Sequence, residues 1–291
     1  MTGTARQETE DGRGARARRD DTFTADSDDG PGPTARFIDL SQAVDAGQWE
    51  VDPVKHEIMS PAEGGRHMAE GMRRHHGVEF DPAELPGGEL LSLDTLTLTT
   101  HTGTHVDAPS HYGSRAAYGT PRHIDRMPLD WFQRPGFRLD LRGEPVGAIG
   151  ADRVRRALDE AGSVPRPLDI VLLYTGADEL AGTPEFFTDF AGLDAAATHL
   201  LLDLGVRVIG TDAFSLDAPF GHMIKEYQRT GDRGVLWPAH FVGREREYCQ
   251  IERLANLGAL PGPTGFTVSC FPVKIAGAGA GWTRAVAVVE E

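Results

Sequence analysis

The stretch that decides the fold of this chain is His101-Thr102-Gly103-Thr104-His105-Val106-Asp107-Ala108-Pro109-Ser110-His111. It contains three imidazoles and one carboxylate at offsets 0, 4, 6 and 10. All four offsets are even, so in a straight β-strand the four side chains would point to one face of the sheet. At about 3.3 Å per residue, however, such a strand would separate the first two histidines by roughly 13 Å. Two ligands of one ion cannot lie that far apart, because their bonds to the metal are about 2.0–2.2 Å long.

The run must therefore curl if it binds a metal. Gly103 can adopt backbone angles that are closed to other residues, and Pro109 interrupts strand pairing. Residues 96–100 alternate leucine with threonine, which predicts a strand leading into the curl. A helix through the motif is disfavoured by these β-branched residues and by the glycine. A set of hydrogen-bonded core histidines is the plain alternative to a metal site.

The flanking sequence predicts an α/β fold. Residues 170–173 (Ile-Val-Leu-Leu) form an apolar run typical of a strand buried on both faces. Further strands are predicted over residues 137–141 and 206–210, and helices over residues 151–161 and 193–204. This alternation indicates helices packed on a mixed sheet. Residues 266–273 and 285–289 read as closing strands, with a Gly/Ala-rich turn over residues 276–281.

The composition of the first residues sets the boundary of the predicted domain. Residues 1–34 are polar and contain one aromatic residue, so we predict a disordered tail, followed by a single domain over residues 35–291. A helix should start at Ser60, where Ser60-Pro61-Ala62-Glu63 forms a capping-box pattern, and should end near Gly77.

Composition excludes several classes of function. The formal charge is −15, from 29 basic and 44 acidic residues, which argues against nucleic acid or an anionic membrane as the main partner. Two cysteines cannot form a disulfide framework and fit a reducing, cytoplasmic location. No apolar run approaches the roughly 20 residues that a membrane-spanning helix needs.

The motif around His101 resembles the H-x-G-T-H-x-D-x-P-x-H signature of the metal-dependent cyclase/formamidase family. That family includes bacterial kynurenine formamidases, isatin hydrolases and cyclases of aromatic polyketide pathways. All seven fixed positions match, and the resemblance extends from about Phe37 to the end of the sequence. It implies a compact, β-rich α/β fold of the swivelling β/β/α type, and a homodimer or larger homo-oligomer.

The motif also supplies candidate ligands and a candidate catalytic residue. Imidazole and carboxylate ligands suit Zn²⁺, Mn²⁺ or Fe²⁺. We assign His101, His105 and Asp107 to a first ion, because three protein ligands with an open position are typical of a catalytic site. The resemblance implies that His240 and Glu252 hold a second ion, to which Asp107 would bridge. It also implies that His111, the last histidine of the motif, is the general acid/base. The expected cofactor is thus one or two divalent ions, Zn²⁺ or Mn²⁺.

Other polar residues are not assigned to the site. Asp212 closes the predicted strand over residues 206–210 and could face a pocket or cap the backbone, so it is not assigned as a ligand. His67, His75 and His76 lie on the predicted helix that starts at Ser60, where nothing nearby completes a site.

Three functions fit these residues. The preferred one is a metal-dependent cyclase that closes and dehydrates a ring of an aromatic polyketide, because residues 248–257, 270–274 and 281–285 resemble that branch. The first alternative is an amidohydrolase, such as an arylformamidase or an isatin hydrolase, in which His111 protonates the leaving amine. The second is a non-catalytic, metal-stabilised binding protein, which needs a closed four-ligand site. The expected partner of either enzyme is a small aromatic or polyketide substrate.

Overall fold

The computed structural model describes the backbone of Thr22–Thr24 and the whole of residues 35–290. The predicted tail over residues 1–34 therefore lies outside the described residues, apart from three that pair antiparallel with the first strand of the domain. None of the helices in the described residues combines the length and the apolar character that a membrane span requires.

Strands and helices alternate irregularly along the chain, and we number them in chain order. The strands are β1 (Thr22–Thr24), β2 (Ala35–Asp39), β3 (Lys55–Met59), β4 (Leu93–Thr97), β5 (His105–Asp107), β6 (Gln133–Asp140), β7 (Gly147–Ile149), β8 (Ile170–Tyr174), β9 (Ala191–Leu193), β10 (Val208–Thr211), β11 (Cys249–Glu252), β12 (Thr267–Ser269), β13 (Ala280–Trp282) and β14 (Val286–Glu290). The helices are α1 (Pro61–His76), α2 (Pro109–Tyr112), α3 (Ala151–Ala161), α4 (Glu185–Thr188), α5 (Ala195–Asp203), α6 (Phe220–Thr230) and α7 (Pro238–Val242).

Ten of these strands form one mixed sheet in the order β1-β2-β14-β12-β6-β8-β10-β11-β5-β13. Its centre, from β6 through β8 and β10 to β11, is parallel. The remaining pairings are antiparallel. Strands β3 with β4, and β7 with β9, form two small separate sheets. The predicted α/β class is confirmed.

The central strand β8 is buried on both faces, as its apolar run predicted. Ile170 and Leu172 belong to one hydrophobic cluster, while Val171 and Leu173 point to the other face and pack in a second cluster with residues of α3 and α5. Each of these four side chains is at most 1% exposed. Burial of such a side chain contributes about 1.5–3 kcal/mol, so β8 anchors both layers.

The sheet curls over so that strands from both ends of its order share one core. Ile38 on β2 and Val289 on β14 lie in the same cluster as Ile251 on β11 and Val106 on β5. Strand β5 is consequently enclosed, with β11 on one side and β13 on the other. The curl places the central motif inside the protein.

Two helices confirm the predictions made for them. Helix α1 starts with the predicted capping box between Ser60 and Glu63 and ends at Gly77, which adopts a left-handed conformation. Helix α3 has the predicted bounds, and its buried residues Val154, Ala157 and Leu158 follow the spacing of one helix face.

The placement of one strand and the extent of one turn differ from the prediction. The strand expected over residues 96–100 is β4, which ends at Thr97, pairs only with β3 and is exposed along its length. Leucine–threonine alternation indicates a strand but does not specify its partner, and here a local hairpin provides one. The turn expected over residues 276–281 ends early, because Ala280–Trp282 form β13 against β5. Small residues fit this position, since a Cβ on Gly281 would lie 2.6 Å from the carbonyl oxygen of Val273.

Candidate metal centre

The curl predicted for the motif occurs at Gly103. This residue has φ of +64°, in the left-handed region that glycine adopts without strain. Its carbonyl oxygen accepts a hydrogen bond from Nδ1 of His105 at 2.9 Å, which leaves Nε2 facing inward. The turn brings His101 Nδ1 within 3.2 Å of His105 Nε2, where a straight strand would hold the residues roughly 13 Å apart.

Asp107 lies two residues after His105 on β5, on the same face of the strand. Its Oδ1 is 3.1 Å from His101 Nδ1 and 3.5 Å from His105 Nε2. The carboxylate is fully buried, and neither oxygen has a hydrogen-bond partner among the described residues. Burial of an ionisable oxygen without a hydrogen bond is costly, so a cation is a fitting partner for this carboxylate.

Strand β11 contributes Glu252, which pairs in register with His105 across the sheet. Its Oε2 lies 3.5 Å from His105 Nε2. Its other oxygen, Oε1, accepts hydrogen bonds from the backbone N–H of Leu216 at 2.8 Å and from the hydroxyl of Ser215 at 3.1 Å. These two donors fix the carboxylate against the motif.

Helix α7 contributes His240 on the opposite side of the two carboxylates. Its Nε2 lies 3.8 Å from Asp107 Oδ2 and 3.9 Å from Glu252 Oε1. Each carboxylate thus presents one oxygen to His105, with His101 beside it, and the other oxygen to His240. Asp107 consequently lies between His105 and His240, with one oxygen directed towards each of them.

Helix α2 begins at Pro109, where the strand stops, and places His111 above the cluster. The centroid of its ring is 4.3 Å from that of His101 and 5.5 Å from that of His240. It is an exposed residue, whereas His105 and His240 are buried. The structure therefore brings all six predicted site residues together, with His111 on the side that solvent can reach.

The unassigned residues lie elsewhere. His67, His75 and His76 are exposed on α1. Asp212 is buried at the end of β10 and accepts hydrogen bonds from the backbone N–H groups of Thr175 and Gly176 and from the Thr175 hydroxyl. It therefore caps the backbone that follows β8.

Sequence reasoning missed Ser215 and Asp217 as parts of the site. Both follow β10, and the carboxylate of Asp217 contacts the ring of His240. No motif marks them, because their role depends on how the fold brings this loop to α7 and β11.

The cluster favours ionised carboxylates. Burial opposes ionisation of Asp107 and Glu252, but the imidazole of His105 lowers the pKa of both, and His101 also lowers that of Asp107. Burial likewise opposes a charge on His240, yet Asp217 raises its pKa to about 9. Desolvation by the cluster lowers the pKa of His111 even though its ring reaches solvent.

The donor set fits a divalent cation. Two subsets have ligand atoms within 4.8 Å of one another, His101–Asp107–His111 and His105–Asp107–Glu252. Nitrogen and carboxylate oxygen atoms are the ligands that Zn²⁺, Mn²⁺ and Fe²⁺ accept. The oxygens of Asp107, which accept no hydrogen bond in the described residues, also suit a cation as their partner.

Comparison with known proteins identifies a family and several relatives of this chain. A protein-family model described as a putative cyclase matches residues 38–218. A kynurenine formamidase of Maricaulis maris (strain MCS10) is 31% identical over 196 residues, covering 67% of this chain and 80% of that protein. A kynurenine formamidase of Salinibacter ruber (strain DSM 13855 / M31) is 28% identical over 203 residues, covering 67% of this chain and 79% of that protein.

Solved structures share the fold. An isatin hydrolase bound to the product analogue thioisatinate superposes with a TM-score of 0.67 at 19% identity, covering 88% of this chain and 93% of that one. Isatin hydrolase A from Labrenzia aggregata, bound to benzyl benzoate, gives a TM-score of 0.65 at 22% identity, covering 88% and 94%.

Proposed function

The chain belongs to the putative cyclase family, and from that premise we propose that it is a metal-dependent amidohydrolase acting on an aryl formamide or a cyclic aryl amide. It is an enzyme, a hydrolase of that family. The formamidase relatives, at 28% and 31% identity, support amide hydrolysis. The isatin hydrolase structures support the fold that holds the site.

The observation that carries the proposal is the buried carboxylate of Asp107, which accepts no hydrogen bond in the described residues, lies between His105 and His240, and lies below an exposed imidazole. We propose two Zn²⁺ or Mn²⁺ positions. His101, His105 and Asp107 would hold one ion, while Asp107, His240 and Glu252 would hold the other. When bound, such an ion polarises a carbonyl oxygen and lowers the pKa of water.

The residues of the chain supply proton transfer and orientation. His111, neutral because its pKa is lowered, accepts a proton from the attacking water as the carbon–oxygen bond forms. It then donates that proton to the amide nitrogen as the carbon–nitrogen bond breaks, so the products are a carboxylic acid and an amine. The two carboxylates stay ionised and fixed throughout, with Glu252 held by Leu216 and Ser215.

Neither of the other two sequence-based functions is retained. Ring closure of an aromatic polyketide, which the flanking residues favour, has no support from the family match or from the formamidase relatives. The non-catalytic alternative gives way to membership of an enzyme family.

The decisive experiment offers substrates of each class to protein stripped of metal and reloaded with Zn²⁺ or Mn²⁺. N-formylkynurenine and isatin are followed by formate release and by ring opening, and an aromatic polyketide ketone by loss of its chromophore. Hydrolysis of either amide supports the proposal. Cyclisation of the ketone with both amides left intact would overturn it.

The proposed enzyme is a homodimer or larger homo-oligomer, an expectation that rests on the family resemblance. The segment over residues 55–97, which contains β3, α1 and β4, exposes apolar side chains that a second subunit could cover, among them Ile58, Leu91 and Leu93. Light scattering of the purified protein measures the state directly, and a monomer at micromolar concentration would contradict the expectation.

A further inference from the structure

The loop after β10 ends in a carboxylate that the proposed reaction does not use. Asp217 is fully buried. Its Oδ1 accepts a hydrogen bond from the backbone N–H of Ala239 at 2.6 Å. Its Oδ2 accepts from the backbone N–H of His240 at 3.4 Å and also contacts the ring Nδ1 of His240. One carboxylate thus serves three groups of a neighbouring segment.

Two of these contacts compensate for a helix that cannot cap itself. The residue before α7 is Trp237, which has φ of +50° and forms no side-chain cap. The first N–H groups of a helix have no partner within the helix, and Pro238 has no N–H to offer. Asp217 supplies the missing acceptor from another loop, so the start of α7 is fixed relative to β10.

The third contact determines which nitrogen of His240 is free. Because a carboxylate accepts at Nδ1, the neutral ring that can bind a metal carries its proton on Nδ1 and its lone pair on Nε2. That lone pair faces Asp107 Oδ2 and Glu252 Oε1. His105 is arranged similarly, but its Nδ1 donates to the carbonyl of Gly103. A carboxylate partner makes an imidazole a stronger donor to metal than a carbonyl partner does.

We propose that Asp217 is a positioning residue that holds His240 in the tautomer and orientation of an Nε2 metal ligand. This inference rests on the metal centre of the proposed function, though not on the reaction. The competing explanation is that Asp217 merely stabilises the fold by capping α7.

The variant Asp217→Asn separates the two explanations. Its amide oxygen can still accept from Ala239, but its amide nitrogen meets ring Nδ1 as a second donor. The ring must then turn or move its proton to Nε2, and either change removes the ligand. We expect Zn²⁺ affinity at one of the two positions, measured by chelator competition on metal-free protein, to fall by about 10–100-fold. Co²⁺ as a visible probe should show an altered absorption spectrum.

A matched control is Asp212→Asn. Asp212 is also a buried carboxylate after β10 that accepts from backbone N–H groups, but those belong to Thr175 and Gly176. It should change the stability of the fold and leave Zn²⁺ affinity unchanged. A purely structural role for Asp217 predicts that both variants behave alike.

A second test places Asp217→Asn in a His240→Gln background. If Asp217 acts through His240, the double variant binds Zn²⁺ no more weakly than His240→Gln alone. An undiminished effect of Asp217→Asn in that background would overturn the proposal, as would wild-type affinity and an unchanged Co²⁺ spectrum in the single variant.

The wild-type protein provides a readout that depends on no variant. Nitrogen-15 spectra of histidine-labelled protein loaded with Zn²⁺ should show the His240 ring protonated at Nδ1 alone, and a ring protonated at Nε2 in the loaded protein would overturn the proposal. Failure of the proposed function can be distinguished from failure of this inference. If the wild-type protein binds Zn²⁺ but hydrolyses no amide, the proposed reaction is wrong, while the comparison of Asp217→Asn with Asp212→Asn still tests the role of Asp217.

Discussion

The ring of His111 differs from the other imidazoles of the cluster because no hydrogen bond fixes its orientation in the described residues. It makes no side-chain hydrogen bond within the described part of the chain, whereas Nδ1 of His105 is bonded to Gly103 and Nδ1 of His240 contacts Asp217. A ring without a fixed partner can exchange protons with a substrate. Its nitrogen also lies within 4.8 Å of ligand atoms of His101 and Asp107, so its role needs a direct test.

We predict that His111→Ala lowers kcat by about 10²–10⁴-fold, the usual contribution of a general acid/base. Metal content should stay at the wild-type level in elemental analysis, because the buried donors are untouched. His101→Ala is the comparison, since it removes an inward-facing nitrogen and should cost both activity and metal. Loss of an ion from His111→Ala would make this residue a ligand instead.

Asp212 gives a prediction on pH. Burial raises its pKa from 3.8 to about 7, against the hydrogen bonds from Thr175 and assisted by the charge of Asp178. The folded state therefore holds this proton more tightly than the unfolded chain. Its contribution to stability is fully present below pH 4 and is lost as the pH rises through 7.

The variant Asp212→Asn stays neutral and should lack this dependence. We expect the free energy of unfolding of wild type to fall relative to the variant by about 3 kcal/mol between pH 5 and pH 8. Urea unfolding of both proteins at the two pH values measures the difference. A difference that does not change with pH would contradict the raised pKa.

At the scale of elements, the turn between His101 and His105 is the part of the motif most sensitive to backbone geometry. We predict that Gly103→Ala lowers the free energy of unfolding by about 1–2 kcal/mol, because alanine is strained at φ of +64°. Its Cβ would also lie 3.0 Å from Val44 Cγ2. Zn²⁺ affinity should fall too, since the Gly103 carbonyl holds His105.

Gly77→Ala is the matched control for Gly103→Ala. Gly77 has φ of +63° and nothing within 4 Å of an added Cβ, and it lies at the end of α1. It should lose similar stability, measured by thermal unfolding, while retaining Zn²⁺ affinity. If both variants bind metal as wild type does, the curl does not set the distance between the two histidines.

Local patterns were enough to predict some elements. The apolar run of β8 and the capping box of α1 carry their own signals, and both occur as predicted. The curl followed from metal–ligand distances applied to His101 and His105. These predictions needed no knowledge of the rest of the chain.

Features that depend on distant partners could not be predicted from local sequence. Strand β13 consists of Ala280, Gly281 and Trp282, and only its position beside β5 makes it a strand. Asp217 precedes His240 by 23 positions in the sequence, and it contacts that ring only because the fold packs its loop against α7. His240 and Glu252 entered the candidate site through family resemblance, because nothing in their immediate sequence distinguishes them.

At the scale of the whole molecule, the candidate metal centre and the hydrophobic core lie in different parts of the fold. The two hydrophobic clusters extend through both faces of the ten-stranded sheet, while the candidate ligands on β5 and β11 lie near one end of the strand order. We therefore expect that the fold does not depend on metal as a small zinc domain does.

We predict that chelation leaves the far-ultraviolet circular dichroism spectrum unchanged and lowers Tm. Restored Zn²⁺ should raise stability by about 2.7 kcal/mol per site at a free concentration 100 times Kd. Differential scanning calorimetry of stripped and reloaded protein measures this. A protein that unfolds on chelation would have a structural metal, and an unchanged Tm would mean that no ion binds.

The position of β13 also matters for biosynthesis. This strand, contributed by residues 280–282, covers the open side of β5, and Glu252 reaches the other side only after most of the polypeptide has been made. A growing chain on the ribosome consequently carries His101, His105 and Asp107 long before it has the neighbours that enclose them. We therefore expect a cation to bind after residues 249–282 have been synthesised, so translation with limiting zinc should yield folded protein that binds zinc when it is added later.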